Sequence, residues 1–138
     1  MDLIDAPLSE LGVSQCEAVN SSEIVPNLTH VIVSPLNRAL MTAYLLFKKH
    51  PNFGNIRFIV DPDVKEHLHT ACDVPRPIDE TLEEFNKLFP QGLDLSLMEP
   101  IFEKTEGHRN LWYLEIVDEE TRNRFRERLV TSKNHARD

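Results

Sequence analysis

The sequence predicts an α/β fold built around one strand–helix–strand unit, with strands at about 30–34 and 56–60 and several further helices. Three observations carry that reading. His30-Val31-Ile32-Val33-Ser34 is a short β-branched run, as expected of a strand buried on both faces. Ile56 to Val60 is a second short apolar run. Between them lies one amphipathic segment of helix length, and two parallel strands joined by a helix form a right-handed crossover.

Taken in order, the chain first offers a helix over 9–20, with Ser9 as N-cap because its hydroxyl can accept an orphan amide of the first turn. Gly12 weakens that helix. After the first strand, Ser34-Pro35 is a start signal, since proline at the first helical position gives up an N–H that has no partner there. The helix is expected over 35–49. Leu36, Leu40, Ala43 and Phe47 fall on one face, with Ala39 and Leu46 beside them. Lys48, Lys49 and His50 suit the negative end of its dipole, and Pro51 and Gly54 end it. Beyond the second strand, Ile78, Leu82, Phe85 and Leu88 or Phe89 mark an amphipathic helix ending at Pro90. Leu93, Leu95 and Leu97 alternate without deciding between helix and strand, and 99–117 is ambiguous. A polar helix is expected over 118–132, with Phe125 and Leu129 inward.

The composition is that of one ordinary domain, 41% hydrophobic and 28% charged over 138 residues. There is no apolar run near the ~20 residues a bilayer span needs, and the acidic start does not read as a secretory signal. Two cysteines, Cys16 and Cys72, make no disulfide framework. A cytoplasmic protein without a membrane partner is therefore expected. The net charge of −8 is concentrated, because residues 61–106 hold 12 acids and 4 bases. A nucleic-acid binder needs a basic face, and the arginines at 122, 124, 126 and 128 are interleaved with acids, so no nucleic-acid partner is expected.

Two segments together resemble a known family. Asp5-Ala6-Pro7-Leu8-Ser9-Glu10-Leu11-Gly12 is similar to the D-x-P-L-T-x-x-G stretch of the histidine phosphatase (phosphoglycerate-mutase-like) superfamily, and Ser34-Pro35-Leu36-Asn37-Arg38-Ala39 to its S-P-L-x-R-A stretch. Val64-Lys65-Glu66 stands where that family has a strand followed by L-x-E. The resemblance implies one partial domain over 1–138, a remnant of a three-layer fold, with 61–106 as an acidic lid region. It implies phosphomonoester hydrolysis or phosphoryl transfer through a phosphohistidine, with no cofactor or metal. Arg38 matches a phosphate-binding arginine, and its place in a first helical turn suits an anion. Glu66 matches the proton donor, a role that needs a raised pKa. Alternatives stay open for both: a surface arginine paired with an acid, and a solvated loop carboxylate.

The family's nucleophile lies in Arg-His-Gly and its second histidine commonly in Ser-His-Gly. None of the six histidines here stands in either triplet, and Gly107-His108-Arg109 has the reverse order. The expectation is an inactive remnant able to bind a phosphorylated small molecule. The alternatives are a piece of an active phosphatase from an incomplete gene model, and an interaction module that dimerises through an unpaired strand edge. His67, His69, Cys72 and Asp73 invite a metal reading, but a structural site usually has two separated ligand pairs and no second pair follows, so no metal is expected. Trp112-Tyr113-Leu114 reads as core or packing surface rather than a stacking platform.

Overall fold

The computed structural model describes residues 4–66, 68, 71–105, 108–114 and 127. Helix α1 (Glu10–Ala18) starts as its sequence directs: the Ser9 hydroxyl accepts from the Gly12 amide at 3.1 Å. A single turn, α2 (Ser21–Ile24), leads to strand β1 (His30–Val33), helix α3 (Asn37–Phe47) and strand β2 (Arg57–Val60). Then come α4 (Ile78–Asn86), the two-residue strand β3 (Leu93–Asp94) and α5 (Glu99–Lys104). Short 3-10 turns at Phe53–Asn55, Pro62–Val64, Ala71–Asp73 and Arg109–Leu114 fill the connections. The helix expected over 118–132 lies outside the described residues except for the exposed Glu127.

The sheet is parallel, in the order β1-β2-β3. Val31 pairs with Phe58 and Val33 with Val60, and Phe58 pairs with Leu93. Side chains alternate between faces of a sheet, so these five residues share one face, and all five belong to or pack against the main core. The opposite face carries Ile32, Ile59 and the pair Arg57–Asp94. Ile32 is 61% exposed. This corrects the reading of 30–34 as a strand buried on both faces. Within the described residues β1 is an edge strand paired with β2 alone, and only Val33 in it is buried.

Helix α3 is two residues shorter at each end than its pattern suggested. Leu36 is its N-cap, and the Lys48 amide closes it by donating a hydrogen bond to the Tyr44 carbonyl. Leu36, Leu40 and Ala43 are buried as the periodicity required. His50, just beyond the end of α3, has a buried side chain. It is 4% exposed, its Nδ1 accepts from the Asn52 amide, and its Nε2 donates to the Val25 carbonyl. Helix α4 buries Ile78, Leu82 and Phe85, followed by Phe89, while Asp79, Glu80, Glu83 and Glu84 face water. Phe58 and Phe89 meet with ring centroids 4.7 Å apart, flanked by Phe53. Their contact adds about 0.5–1.5 kcal/mol to the gain from burying the two rings. Gly92 turns the chain into β3 with φ +78, a left-handed conformation that favours glycine. Leu97, the last of the alternating leucines, is 45% exposed.

Candidate functional site

Parallel α/β sheets bind ligands at the carboxyl ends of their strands, where crossover helices begin. Here those ends are Val33, running into Ser34 and α3, and Val60, running into the Asp61 turn. The two exits are tied by the Asp61 amide, which donates to the Val33 carbonyl at 2.9 Å. The Ser34 hydroxyl accepts from the Leu36 amide at 3.3 Å and shapes the bend into the helix. The Asp61 carboxylate accepts from the Asp63 amide at 2.9 Å and starts the 3-10 turn that delivers Lys65 and Glu66.

Arg38 is the second residue of α3. Its Nη1 donates to the Cys72 carbonyl at 2.9 Å and its Nη2 to Asp73 Oδ1 at 3.1 Å. About a third of its side chain, 32%, remains exposed, against 10% for Asp73. The Thr42 hydroxyl donates to the Arg38 carbonyl at 2.7 Å and steadies that turn of the helix. Glu66 is exposed, and its main-chain carbonyl accepts from Lys65 Nζ at 2.6 Å. Lys65 is half-buried. Burial holds its ammonium below the ordinary lysine value; Asp73 and then Glu66 pull it back up, and Arg38 adds to the lowering. Arg38, Asp73 and Lys65 therefore share one electrostatic neighbourhood, with Glu66 next to Lys65 along the chain.

Sequence reasoning did not find two of the residues that organise this end of the sheet. Asp5 is 1% exposed and has φ +47. Its Oδ1 accepts from the Asn37 amide at 2.7 Å and its Oδ2 from the Arg76 amide at 2.9 Å. The chain's own carboxylate thus takes an amide of the α3 N-terminus, one of the donors expected to favour an external anion. The left-handed backbone costs about 1–2 kcal/mol, which two charge-assisted bonds offset. The second is Asp73, which forms an ion pair with Arg38. A metal-ligand role for His67 and His69 lies outside the described residues. No cluster of three metal-ligating side chains occurs among the described residues.

A parallel sheet with a crossover helix between its first two strands defines an α/β domain, and Arg38 stands in the first turn of that helix. The family is shown by sequence: the chain belongs to the histidine phosphatase superfamily (branch 1), whose profile matches residues 2–94. Among curated proteins it is similar to fructose-2,6-bisphosphatase TIGAR of Xenopus laevis, with 32% identity over 77 residues, or 56% of this chain and 28% of that protein. The chain thus spans well under a third of that relative's length. No solved structure matches it.

Proposed function

We propose that this chain carries the phosphate-binding part of a histidine-phosphatase site, with Arg38 gripping the phosphoryl group and Glu66 as proton donor. We further propose that the 138-residue polypeptide by itself does not hydrolyse phosphomonoesters. One observation supports both halves. Arg38 sits in the first helical turn after a strand tip, while none of the 138 residues forms an Arg-His-Gly or Ser-His-Gly triplet. An arginine can hold a phosphate through two oxygens, but without a nucleophile no phosphoenzyme forms. The reading needs neither cofactor nor metal.

Turnover of p-nitrophenyl phosphate by the purified chain is the test. No release above blank is expected. Turnover that survives Arg38→Ala overturns the role given to Arg38, and phosphate trapped on any histidine overturns the claim of silence. If the chain is instead a piece of a longer active phosphatase, sugar bisphosphates are the first substrates to try, as the similar protein's name points to one. The acidic 61–106 segment, proposed as a lid, then opposes polyanions and favours less charged esters. A cytoplasmic setting belongs to the same proposal. No described helix is long and apolar enough to cross a membrane.

The edge position of β1 favours a second reading, a module that pairs with another copy of itself. A groove of about 470 Å³ runs along that edge, lined by Val31, Ile32, Ala39, Leu46, Phe47 and Val64 among others. Exposed strand edges recruit further strands. Light scattering after size exclusion decides: a dimer supports this reading, and a well-behaved dilute monomer removes it.

A further inference from the structure

In a parallel ladder the N–H and C=O of every second residue point to the neighbouring strand, and those of the residues between point away. The inward set of β1 is fixed by its bonds: the Thr29 carbonyl accepts from the Arg57 amide and the Val33 carbonyl from the Asp61 amide, each at 2.9 Å. Val31 lies between them in the same phase, so His30 and Ile32 turn their main-chain groups to the open edge. Among the described residues these outward groups have no partner. Ile32 also presents a side chain that is 61% exposed, on the face away from the main core. Among the described residues lining the groove along this edge, Arg38 alone is charged and none is acidic, although the chain carries a net charge of −8.

We propose that the occupant of this edge is β1 of a second copy, running antiparallel about a two-fold axis that passes between the two Ile32 residues. This rests on the self-pairing reading of β1 and fixes its geometry. A two-fold axis allows one antiparallel pairing for each choice of central residue, and the side chains choose among them. Centred on Val31, the pairing sets Ile32 against His30 of the second copy; centred on Val33, it sets Ile32 against Ser34 of the second copy. Only centring on Ile32 gives the exposed isoleucine an apolar partner, its own counterpart. The same register sets Val31 against Val33 of the second copy on the core-facing side, where both line the groove, so β-branched pairs meet on both faces. Ile32 is in the outward phase, so its two copies exchange both main-chain hydrogen bonds across the axis. Charge agrees with a second copy as the occupant. A two-fold axis brings a patch against itself, so an acid in the groove would face an acid, and none lines it. The product is a closed dimer with one sheet in the order β3-β2-β1-β1-β2-β3. A strand donated by a different protein has no need of this self-match, and it leaves the purified chain monomeric.

The experiment places one new cysteine at a time in the purified 138-residue chain carrying Cys16→Ser and Cys72→Ser. Each variant is oxidised at a concentration where light scattering reports a dimer, and the disulfide-linked fraction is read on a non-reducing gel. Ile32→Cys faces its own copy at a Cα separation of about 5.5 Å, within the roughly 4.4–6.8 Å that a disulfide spans. His30→Cys lies about 13 Å along the strand from its own copy, too far to link. Linking of Ile32→Cys is expected at least about tenfold above that of His30→Cys. Linking at His30→Cys equal to or above that at Ile32→Cys, or a dimer in which neither links, overturns this geometry and leaves the self-pairing reading standing. A monomer at every concentration overturns both. Should the cysteine variants fail to fold, amide exchange of the wild-type chain is followed over a concentration series. Where about nine chains in ten are paired, the Ile32 amide should exchange about tenfold more slowly than in the dilute monomer, because only the unpaired tenth exchanges. Val31 and Val33, already bonded to β2, should keep their rates. An Ile32 rate that ignores concentration while the dimer forms overturns the proposal.

Discussion

Asp5 shows how one buried side chain can hold two distant segments. Its carboxylate joins Asn37 at the head of α3 to Arg76 at the approach to α4. Arg76 in turn reaches Glu84 at 2.9 Å. Asp5→Ala leaves two main-chain donors without their acceptor, and a loss of about 3 kcal/mol is expected in urea unfolding. Asp5→Asn should recover only part, since its amide N–H₂ must face one of the two donors. A change under about 0.5 kcal/mol in both variants would mean that water replaces the carboxylate without cost. The role was hidden in the sequence for a physical reason. Asp5 caps a helix that begins 32 residues later, and capping signals are legible only when cap and helix are contiguous. Ser9, whose partner is three residues away, was readable for the opposite reason. Arg38 was legible through its motif, but its pairing with Asp73, 35 residues on, was not.

Among the elements, the βαβ unit was readable because its signals are local and strong: a β-branched run, a proline start and a face of Leu36, Leu40 and Ala43. The exposure of one face of β1 was not, because Val31-Ile32-Val33 looks alike whether one face or both are covered. Its exposed Ile32 gives a test of self-pairing. Ile32→Lys should convert any dimer to monomer while leaving the melting temperature nearly unchanged, since edge lysines block strand addition. Strand β3 has two residues, too few for a pattern, and is fixed to β2 by side chains as well as by its ladder. Asp94 Oδ2 accepts from Arg57 Nε at 2.6 Å, and Asp94 Oδ1 from the Ser96 amide at 2.9 Å. The Ser96 amide first, then its hydroxyl and Arg57, hold the Asp94 carboxyl at about 2, below its ordinary 3.8. A depressed folded-state pKa means that the unfolded chain binds the proton more readily. The stability Asp94 contributes is therefore full above 3.8 and lost as pH falls towards about 2. In urea unfolding across that window, Asp94→Asn should differ most from wild type at neutral pH and converge with it at the acid end. A gap that stays constant with pH would detach Asp94 from this role.

Over the whole molecule, the acid-rich segment and the strand–helix–strand unit share one core. Ile78, Leu82, Phe85, Phe89, Met98 and Phe102 come from the segment, and Leu40, Ile56, Phe58 and Val60 from the unit. Its acids point outward from α4, while the apolar residues between the charges belong to that core. Parts with few core contacts open at lower free energy than parts that share the core. Within the proposed lid segment, opening is therefore expected first in the stretch before Ile78, around the Asp73 turn, which gives two linked expectations. Phe89→Ala should cost about 3–5 kcal/mol, because it removes a fully buried ring packed at a tilt against Phe58 and leaves a cavity between segment and sheet. That is a large share of a typical domain stability of about 5–15 kcal/mol. Native-state amide exchange in wild type should then show α4 exchanging with the same free energy as β2, while residues 71–77 exchange sooner. If α4 opened independently of β2, with Phe89→Ala loosening only the helix, the acidic block would be a separable unit after all, and the Asp73 turn would move with it rather than ahead of it.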